Sequence, residues 1–192
     1  VLETGLTISG KPLKDHQEVH GHAHAIDLLN ALLDVDAVSE RDLFDLHTAV
    51  MSHSPVDALR PVGAWKRDYN GTTGVKDGKM VYREYAAPFH VSALMTDWLS
   101  EFNRKLDAVC DEESACEQYC WAHSGLVRIH PFFDGNGRIA RLLANLPVLR
   151  GGHPPIVISS ARRSDYIQLL WGYPLALPPP PPGAPLVPTT AA

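Results

Sequence analysis

The residues with the clearest chemical potential stand in one twelve-residue stretch, His130-Pro-Phe-Phe-Asp-Gly-Asn-Gly-Arg-Ile-Ala-Arg141. Pro131 disfavours helical geometry at His130, so the preceding helix is predicted to end there. The two glycines further along let backbone N–H groups approach an oxyanion without a Cβ in the way. A new helix is predicted to begin near Gly135, with its N-terminal amides and positive dipole end facing the loop. Such a helix start is a binding environment for phosphate.

The charged side chains of this stretch complete a phosphate site with a base beside it. The imidazole of His130, with an ordinary pKa of about 6.5, suits a general base. Asp134 is placed to hold a Mg²⁺ ion on the same phosphates. Arg138 and Arg141 stand three residues apart on one helix face, where both guanidinium groups can reach further phosphate oxygens.

The stretch resembles, nearly letter for letter, the signature of the Fic (filamentation induced by cyclic AMP) family, H-P-F-x-D-G-N-G-R-x-x-R. The resemblance implies an all-α helical bundle, the Fic fold, with one β-hairpin flap. It also implies a nucleotidyltransferase, a protein adenylyltransferase that moves AMP from ATP to a Ser, Thr or Tyr hydroxyl of a target protein and also modifies itself. His130 would take the hydroxyl proton and Asp134 would hold Mg²⁺. The phosphates would lie on Gly135, Asn136, Gly137, Arg138 and Arg141.

Other activities stay open at this point. A Doc-like kinase has a lysine where this chain has Gly137, so the small residue favours AMP transfer. Relatives that hydrolyse the AMP–protein bond, or that transfer another nucleotide or phosphocholine, share the same signature. From a different class, the chain could be a non-catalytic peptide-binding module.

The elements that position this stretch are predicted to be helices. Apolar residues that recur every three or four positions predict helices over residues 11–33, 40–53, 88–107, 112–129 and 160–171. The signature loop and its helix are predicted over residues 130–150. Ser39 is a predicted N-cap. In the first helix, the predicted buried face consists of Val19, Ala23, Ile26, Leu29 and Leu33. Pro147 lies inside the signature helix and predicts a kink near residues 143–147.

One hairpin is predicted among the helices. Asp77-Gly78 is a strong turn signal between apolar residues, and the hairpin is expected at about 72–86. The family resemblance assigns this hairpin to the flap, whose edge aligns a target peptide by strand addition. Its predicted contact residues are Val75, Met80, Val81 and Tyr82. The alternative is a surface hairpin without such a role.

The composition indicates where the domain ends and which classes of partner it lacks. Residues 1–171 are predicted to form the Fic domain, while residues 172–192 are proline-rich and expected to be disordered; a ligand for a proline-binding adaptor is the alternative. With 192 residues, a net charge of −5 and no run of Lys or Arg, the chain indicates neither a nucleic-acid nor a membrane partner. A cytoplasmic location is expected, with secretion as an effector as the alternative. Three cysteines, Cys110, Cys116 and Cys120, are expected to be buried thiols.

Two further patterns concern metal binding and regulation. His16, His20 and His24 share a helix face at a spacing that suits Zn²⁺ or Ni²⁺, although solvated histidines are the favoured interpretation.

In the family, an inhibitory helix with the pattern S/T-x-x-x-E-G/N pairs its glutamate with the second signature arginine, here Arg141. The chain has no Glu-Gly or Glu-Asn pair and no glutamate after Glu117. The inhibitory helix is therefore expected before residue 1 or in a separate antitoxin-like partner.

Overall fold

A computed structural model describes residues 13–52, 60–76, 78–172 and 177–187, with side chains from residue 19 onward except that of residue 76. This part of the chain is a helical bundle with one two-stranded antiparallel hairpin, so the predicted fold class is confirmed. The elements are α1 (Leu13–Ala31), α2 (Glu40–Val50), β1 (Gly71–Lys76), β2 (Lys79–Glu84), α3 (Pro88–Lys105), α4 (Glu112–Ile129), α5 (Asn136–Leu143), α6 (Asn145–Arg150) and α7 (Arg163–Gly172). No helix in the described ranges is both long and apolar enough to cross a membrane.

Helix α4 packs against α3, α5 and α6 and carries His130 at its end. It begins where the sequence predicts, because Asp111 and Ser114 form a reciprocal capping box: the Ser114 N–H donates to Asp111 Oδ1 at 2.8 Å. Its predicted inner face is confirmed as buried. That face consists of Ala115, Tyr119, Ala122, Leu126 and Ile129.

The predicted buried face of α1 is wrong for three of its five residues. Val19 and Ile26 are exposed, as is Ala23, whereas α1 buries Gly21 and Ala25 together with the predicted Leu29. The reason is a close helix contact: a Cβ on Gly21 would lie 2.6 Å from the carbonyl oxygen of Ala49 in α2. Small residues therefore face α2, and an apolar periodicity cannot reveal a face made of Gly and Ala.

The signature helix is broken where Pro147 predicts. Helix α5 ends at Leu143, and α6 begins at Asn145 after the single residue Ala144. Proline has no N–H for the carbonyl of Leu143, and its ring crowds that carbonyl. The Asn145 side chain bridges the break, since its Nδ2 donates to Arg141 O at 3.0 Å and its Oδ1 accepts from Ile156 N–H at 2.7 Å.

The expectation that the three cysteines are buried is wrong, because all three are exposed. Cys110 precedes α4, and Cys116 and Cys120 lie on the outer side of that helix, away from its buried face. His20 and His24 are also exposed, while the His16 side chain lies outside the described residues. Among the described side chains, no cluster of three metal-binding groups exists.

Part of the proline-rich segment lies against α4 rather than in solvent. Leu186 is buried, and the Arg128 guanidinium donates to the backbone oxygens of Pro178, Pro185 and Leu186. A buried guanidinium needs acceptors, and these carbonyls supply them. The expected disorder of residues 172–192 stays a prediction. Residues 173–176 and 188–192 are outside the described ranges, and the division of the chain at residue 171 stays a prediction.

Candidate active site

The backbone of His130 has an uncommon conformation. His130 is the C-cap of α4 with φ 54° and ψ 59°, and it is the only non-glycine residue with positive φ in the described ranges. The left-handed conformation ends α4 and turns the chain into the signature loop. As a result, the imidazole stands where α4 ends and α5 is about to begin.

The hydrogen bonds of His130 fix which nitrogen can act as a base. Its Nδ1 lies 3.2 Å from the carbonyl oxygen of Val127. Because a carbonyl only accepts, Nδ1 carries the proton and Nε2 keeps its lone pair. The Tyr85 ring stacks on the imidazole with ring centroids 3.5 Å apart. Burial, aided by the nearby Lys66 charge, lowers the pKa of His130 to about 3 against the opposing effects of Val127 O and Asp134, so the ring is neutral at pH 7.

The loop between His130 and α5 is held from inside by Asn136. Its Oδ1 accepts from Phe132 N–H at 2.9 Å and its Nδ2 donates to Phe132 O at 2.8 Å. The side chain predicted to contact phosphate is thus occupied within the loop, and only the backbone N–H of Asn136 is left for that role. Gly135, with φ 78°, caps α5 without a side-chain bond, so the first amides of α5 stay open.

A buried histidine of α2 supports the same loop. His47 Nε2 donates to Asp134 O at 3.1 Å, and its Nδ1 accepts from Gly63 N–H at 3.0 Å. Its ring stacks on Phe132 with centroids 3.9 Å apart. Burial lowers the pKa of His47 to about 4. A Cβ on Gly135 would lie 3.0 Å from Met51 Sδ and 3.3 Å from the His47 ring, so these side chains would have to shift, and the φ of 78° also favours glycine.

Lys66 is a buried cation that the signature does not include. Its backbone N–H donates to Pro131 O at 2.8 Å and its Nζ donates to Asn70 Oδ1 at 2.6 Å. Asn70 Nδ2 in turn donates to Phe132 O at 3.0 Å. The Lys66 ammonium also lies 5.9 Å from the centroid of the Tyr85 ring that stacks on His130. Burial lowers the pKa of Lys66 to about 8.

Asp134 presents a carboxylate to solvent. Its Oδ1 accepts from the N–H of Gly135 at 2.6 Å, and its Oδ2 lies 3.9 Å from the Arg138 guanidinium. The side chain is otherwise exposed. A single accessible carboxylate beside a phosphate site matches how Mg²⁺ binds, through one or two carboxylates, water and phosphate oxygens.

The two arginines contact different neighbours. Arg138 donates to Val50 O at 3.3 Å at the end of α2, whereas Arg141 donates to the hydroxyl of Tyr166 in α7 at 3.3 Å. His123 Nε2 lies 3.0 Å from the same Tyr166 oxygen, and burial lowers the pKa of His123 to about 4. Among the described residues, no carboxylate pairs with Arg141.

Arg141 also borders a cavity of about 450 Å³ between α1 and the α5–α6 pair. The lining is mainly apolar, with Ile26, Leu29, Leu142 and Ile156 among its residues. The second signature arginine therefore stands between the signature loop and an apolar space.

The hairpin runs over 71–84 and confirms the predicted strand pair. Its register pairs Val75 with Met80, Gly74 with Val81 and Thr73 with Tyr82. Val75, Met80 and Tyr82 are exposed on one face, while Val81 lies on the opposite face beside Gly74. The Trp171 ring covers Gly74, because a Cβ there would overlap Trp171 Cζ2. The four predicted flap residues are thus divided between two faces.

The geometry has the form of a loop with one neutral imidazole beside an open helix N-terminus and two arginines. The model of the Fic/DOC family matches residues 37–148, which is more than half of the chain. The chain belongs to the Fic/DOC family. Protein adenylyltransferase fic-1 of Caenorhabditis briggsae is 36% identical over 172 residues, which is 86% of this chain and 31% of that protein. Protein adenylyltransferase Fic of Drosophila willistoni is 34% identical over 176 residues, which is 88% of this chain and 32% of that protein.

Solved Fic structures have the same fold. A Fic domain containing signaling protein from Bacteroides thetaiotaomicron superimposes with a TM-score of 0.73 at 30% identity, over 88% of this chain and 61% of that one. A Fic-1 fragment from Caenorhabditis elegans gives a TM-score of 0.68 at 31% identity, over 92% of this chain and 49% of that one. The chain spans about a third of the length of the curated relatives it matches.

Several residues of this Fic site are not predictable from the signature. They are Lys66, Asn70, Tyr85, His123 and Tyr166, which reach the loop or Arg141 from other elements. The only sequence signal for any of them is composition, since a lysine or histidine amid apolar helix spacing suggests a buried polar group. Their partners depend on tertiary packing.

Proposed function

We propose that this Fic domain transfers AMP from ATP to a hydroxyl side chain of a protein. The observation that carries the proposal is the neutral His130 with a free Nε2, set beside the open amides of α5. The relatives named protein adenylyltransferase support the same activity.

In the proposed step, the substrate hydroxyl donates its proton to His130 Nε2 while its oxygen attacks the α-phosphorus of ATP. A new O–P bond forms, the bond to the β-phosphate oxygen breaks, and pyrophosphate leaves. The amides of Asn136 and Gly137, with Arg138 and Arg141, would stabilise phosphate charge by position rather than by covalent chemistry. Negative charge from bound phosphates would also raise the pKa of His130 and make it a stronger base.

Mg²⁺ is proposed as the accompanying metal, with Asp134 as its protein ligand. Bound there, it would neutralise charge on the phosphates. One accessible carboxylate fits an ion that keeps most of its ligands as water and phosphate. The proposed role of Asp134 thus requires no further acidic residue.

The flap is proposed to dock the target. Lys76 and Lys79 are the strand pair next to the turn. From this pair, hydrogen-bonded and non-hydrogen-bonded residue pairs alternate along the two strands. The N–H groups of Val75 and Tyr82 therefore face away from the partner strand. The Val75 N–H lies on the free edge of β1 and the Tyr82 N–H on the free edge of β2, so either edge offers a donor to the backbone of an added peptide strand.

Regulation is proposed to act on Arg141. An acidic side chain presented from the neighbouring cavity would pair with this arginine and compete with a phosphate. The inhibitory element would come from a segment before residue 1 or from a separate antitoxin-like partner. A cytoplasmic location, with a secreted effector as the alternative, stays a proposal as well.

The test is incubation with α-labelled ATP and Mg²⁺, followed by intact-mass measurement of the chain. Self-modification by one AMP unit is expected, and His130→Ala should reduce it by about 10²–10⁴-fold while ATP binding by calorimetry is retained. A mass increase of one phosphate instead of one AMP, with no α label on the chain, would indicate a kinase. Wild-type transfer by His130→Ala would remove this residue from the mechanism.

A further inference from the structure

The proline segment 177–182 has a backbone that its own sequence determines. Residues 178–182 are five consecutive prolines, and each of residues 177–181 precedes a proline. The ring fixes φ near about −65°, and a residue before proline is restricted to extended conformations. The sequence therefore favours a polyproline II helix in this segment, whose five prolines have carbonyl acceptors and no N–H donors.

One side chain binds the start of this segment and the residues that follow it. Arg128, which is 6% exposed, donates through Nη2 to Pro178 O at 3.1 Å and through Nη1 to Pro185 O and Leu186 O. Between these anchors, the Ala184 N–H donates to Pro181 O at 3.1 Å, and Gly183 has φ 78°. The prolines thus lie in a short loop closed over α4. A loop held by these hydrogen bonds before a partner binds would lower the entropy cost of association.

The exposure of the prolines follows the three-residue period of the helix. Pro180 is buried, whereas Pro178, Pro179, Pro181 and Pro182 are exposed. With three residues per turn, Pro178 and Pro181 share one edge and Pro179 and Pro182 share the next. Two adjacent edges therefore face solvent, and the third faces the domain.

We propose that the two exposed proline edges are a docking surface for a domain with an aromatic-lined groove that binds polyproline II helices. Such grooves of the SH3, WW and EVH1 kind accept a preformed polyproline helix. Residues 166–192 contain no charged side chain, so the partner would contribute neutral donors, such as an indole N–H or a tyrosine hydroxyl, to the proline carbonyls. The occupant is thus a separate protein domain that recognises rings and carbonyls rather than charge.

The test is a titration of the full chain into isolated ¹⁵N-labelled SH3, WW and EVH1 domains, monitored by NMR chemical shifts. At least one domain is expected to bind through its aromatic groove. The double variant Pro179→Ala, Pro182→Ala removes one exposed edge, and neither residue's carbonyl is among those bound by Arg128. This variant should weaken binding about tenfold or more. Circular dichroism would confirm that it folds.

Pro180→Ala is the matched control, because it makes the same chemical change on the edge that faces the domain. It should alter the dissociation constant by less than about threefold, well below the tenfold effect of the double variant. The proposal is overturned if no domain shows groove shifts, or if Pro180→Ala weakens binding as much as the double variant. Equal binding by all three chains would also overturn it.

Discussion

Among single residues outside the signature, Lys66 has the clearest influence on the base. It lies under the Tyr85 ring, holds the loop through Asn70, and its charge adds to burial in lowering the pKa of His130. A lowered pKa keeps the imidazole unprotonated, so activity should extend well into acid. Lys66 is therefore a positioning residue rather than one that reacts.

Lys66→Met should move the acid limb of kcat/KM to higher pH. Removing the nearby positive charge raises the pKa of His130, so the imidazole takes up a proton at a higher pH and is lost as a base there. Measuring kcat/KM in short assays from about pH 3 to about pH 8 checks this, because that range includes the His130 pKa of about 3. Lys66→Arg, which keeps the charge, should leave the limb in place. If the acid limb of kcat/KM lies at the same pH in Lys66→Met as in the unaltered chain, Lys66 only holds the loop.

For single residues, the sequence predicts those of the motif but not the residues from other elements that contact them. His130, Asp134 and Arg141 stand within twelve positions, and their spacing on a loop and a helix start is readable directly. Tyr85 reaches His130 from the segment after β2, and Tyr166 reaches Arg141 from α7. These contacts depend on how the helices pack, which no local spacing specifies.

At the scale of elements, the edge of the hairpin can be tested by proline substitution. Tyr82→Pro removes an N–H that points away from β1, so the hairpin should persist while an added peptide strand loses a donor. Transfer to a protein target is expected to fall far more than ATP affinity. Tyr82→Ala keeps the N–H and serves as the control. A parallel loss of ATP binding in Tyr82→Pro would show that the hairpin is structural.

The contact between Gly74 and Trp171 predicts a coupling between the flap and α7. Gly74→Ala would place a methyl group inside the indole ring, which costs about 1–3 kcal/mol as overpacking. Thermal unfolding should show this loss of stability. Adding Trp171→Ala to the Gly74→Ala chain removes the indole ring and should restore much of the lost stability. Thr73→Ala, at the neighbouring position of β1, is the control, and additive effects of the first two changes would exclude the contact.

The ends of the helices are predictable from the sequence where a capping side chain or a proline is present. Ser39 and Asp111 begin their helices through side-chain caps, and Pro147 ends α5 as predicted. The inner face of α1 is missed because its contact with α2 depends on Gly21. Apolar spacing therefore locates a helix more reliably than it locates the side that packs.

For the whole molecule, three histidines with lowered pKa, the buried His47 and His123 and the partly buried His130, make stability depend on pH. Burial lowers the pKa to about 4 in His47, about 4 in His123 and about 3 in His130. Below the unfolded pKa of about 6.5, the unfolded chain binds these protons and the folded chain does not. Stability is therefore greatest above that pH and is lost as the pH falls.

The free energy of unfolding should decrease by about 4 kcal/mol per pH unit near pH 5, which corresponds to three protons taken up on unfolding. Urea unfolding at several pH values between about 7 and about 5, followed by tryptophan fluorescence, measures this slope. His123→Gln should reduce it by about one third. A slope equivalent to less than one proton would contradict the neutral state of these histidines.

The left-handed backbone at His130 has a consequence for how this activity persists through evolution. A non-glycine residue in that conformation carries strain of roughly 1–3 kcal/mol, which glycine would not incur and asparagine would incur less. Mutational drift of this codon to Gly or Asn therefore meets no resistance from the backbone, although it removes the base. Purifying selection for catalysis, rather than a requirement of the fold, must keep the imidazole in place. Lineages in which that selection relaxes should accumulate folded but inert copies of this domain.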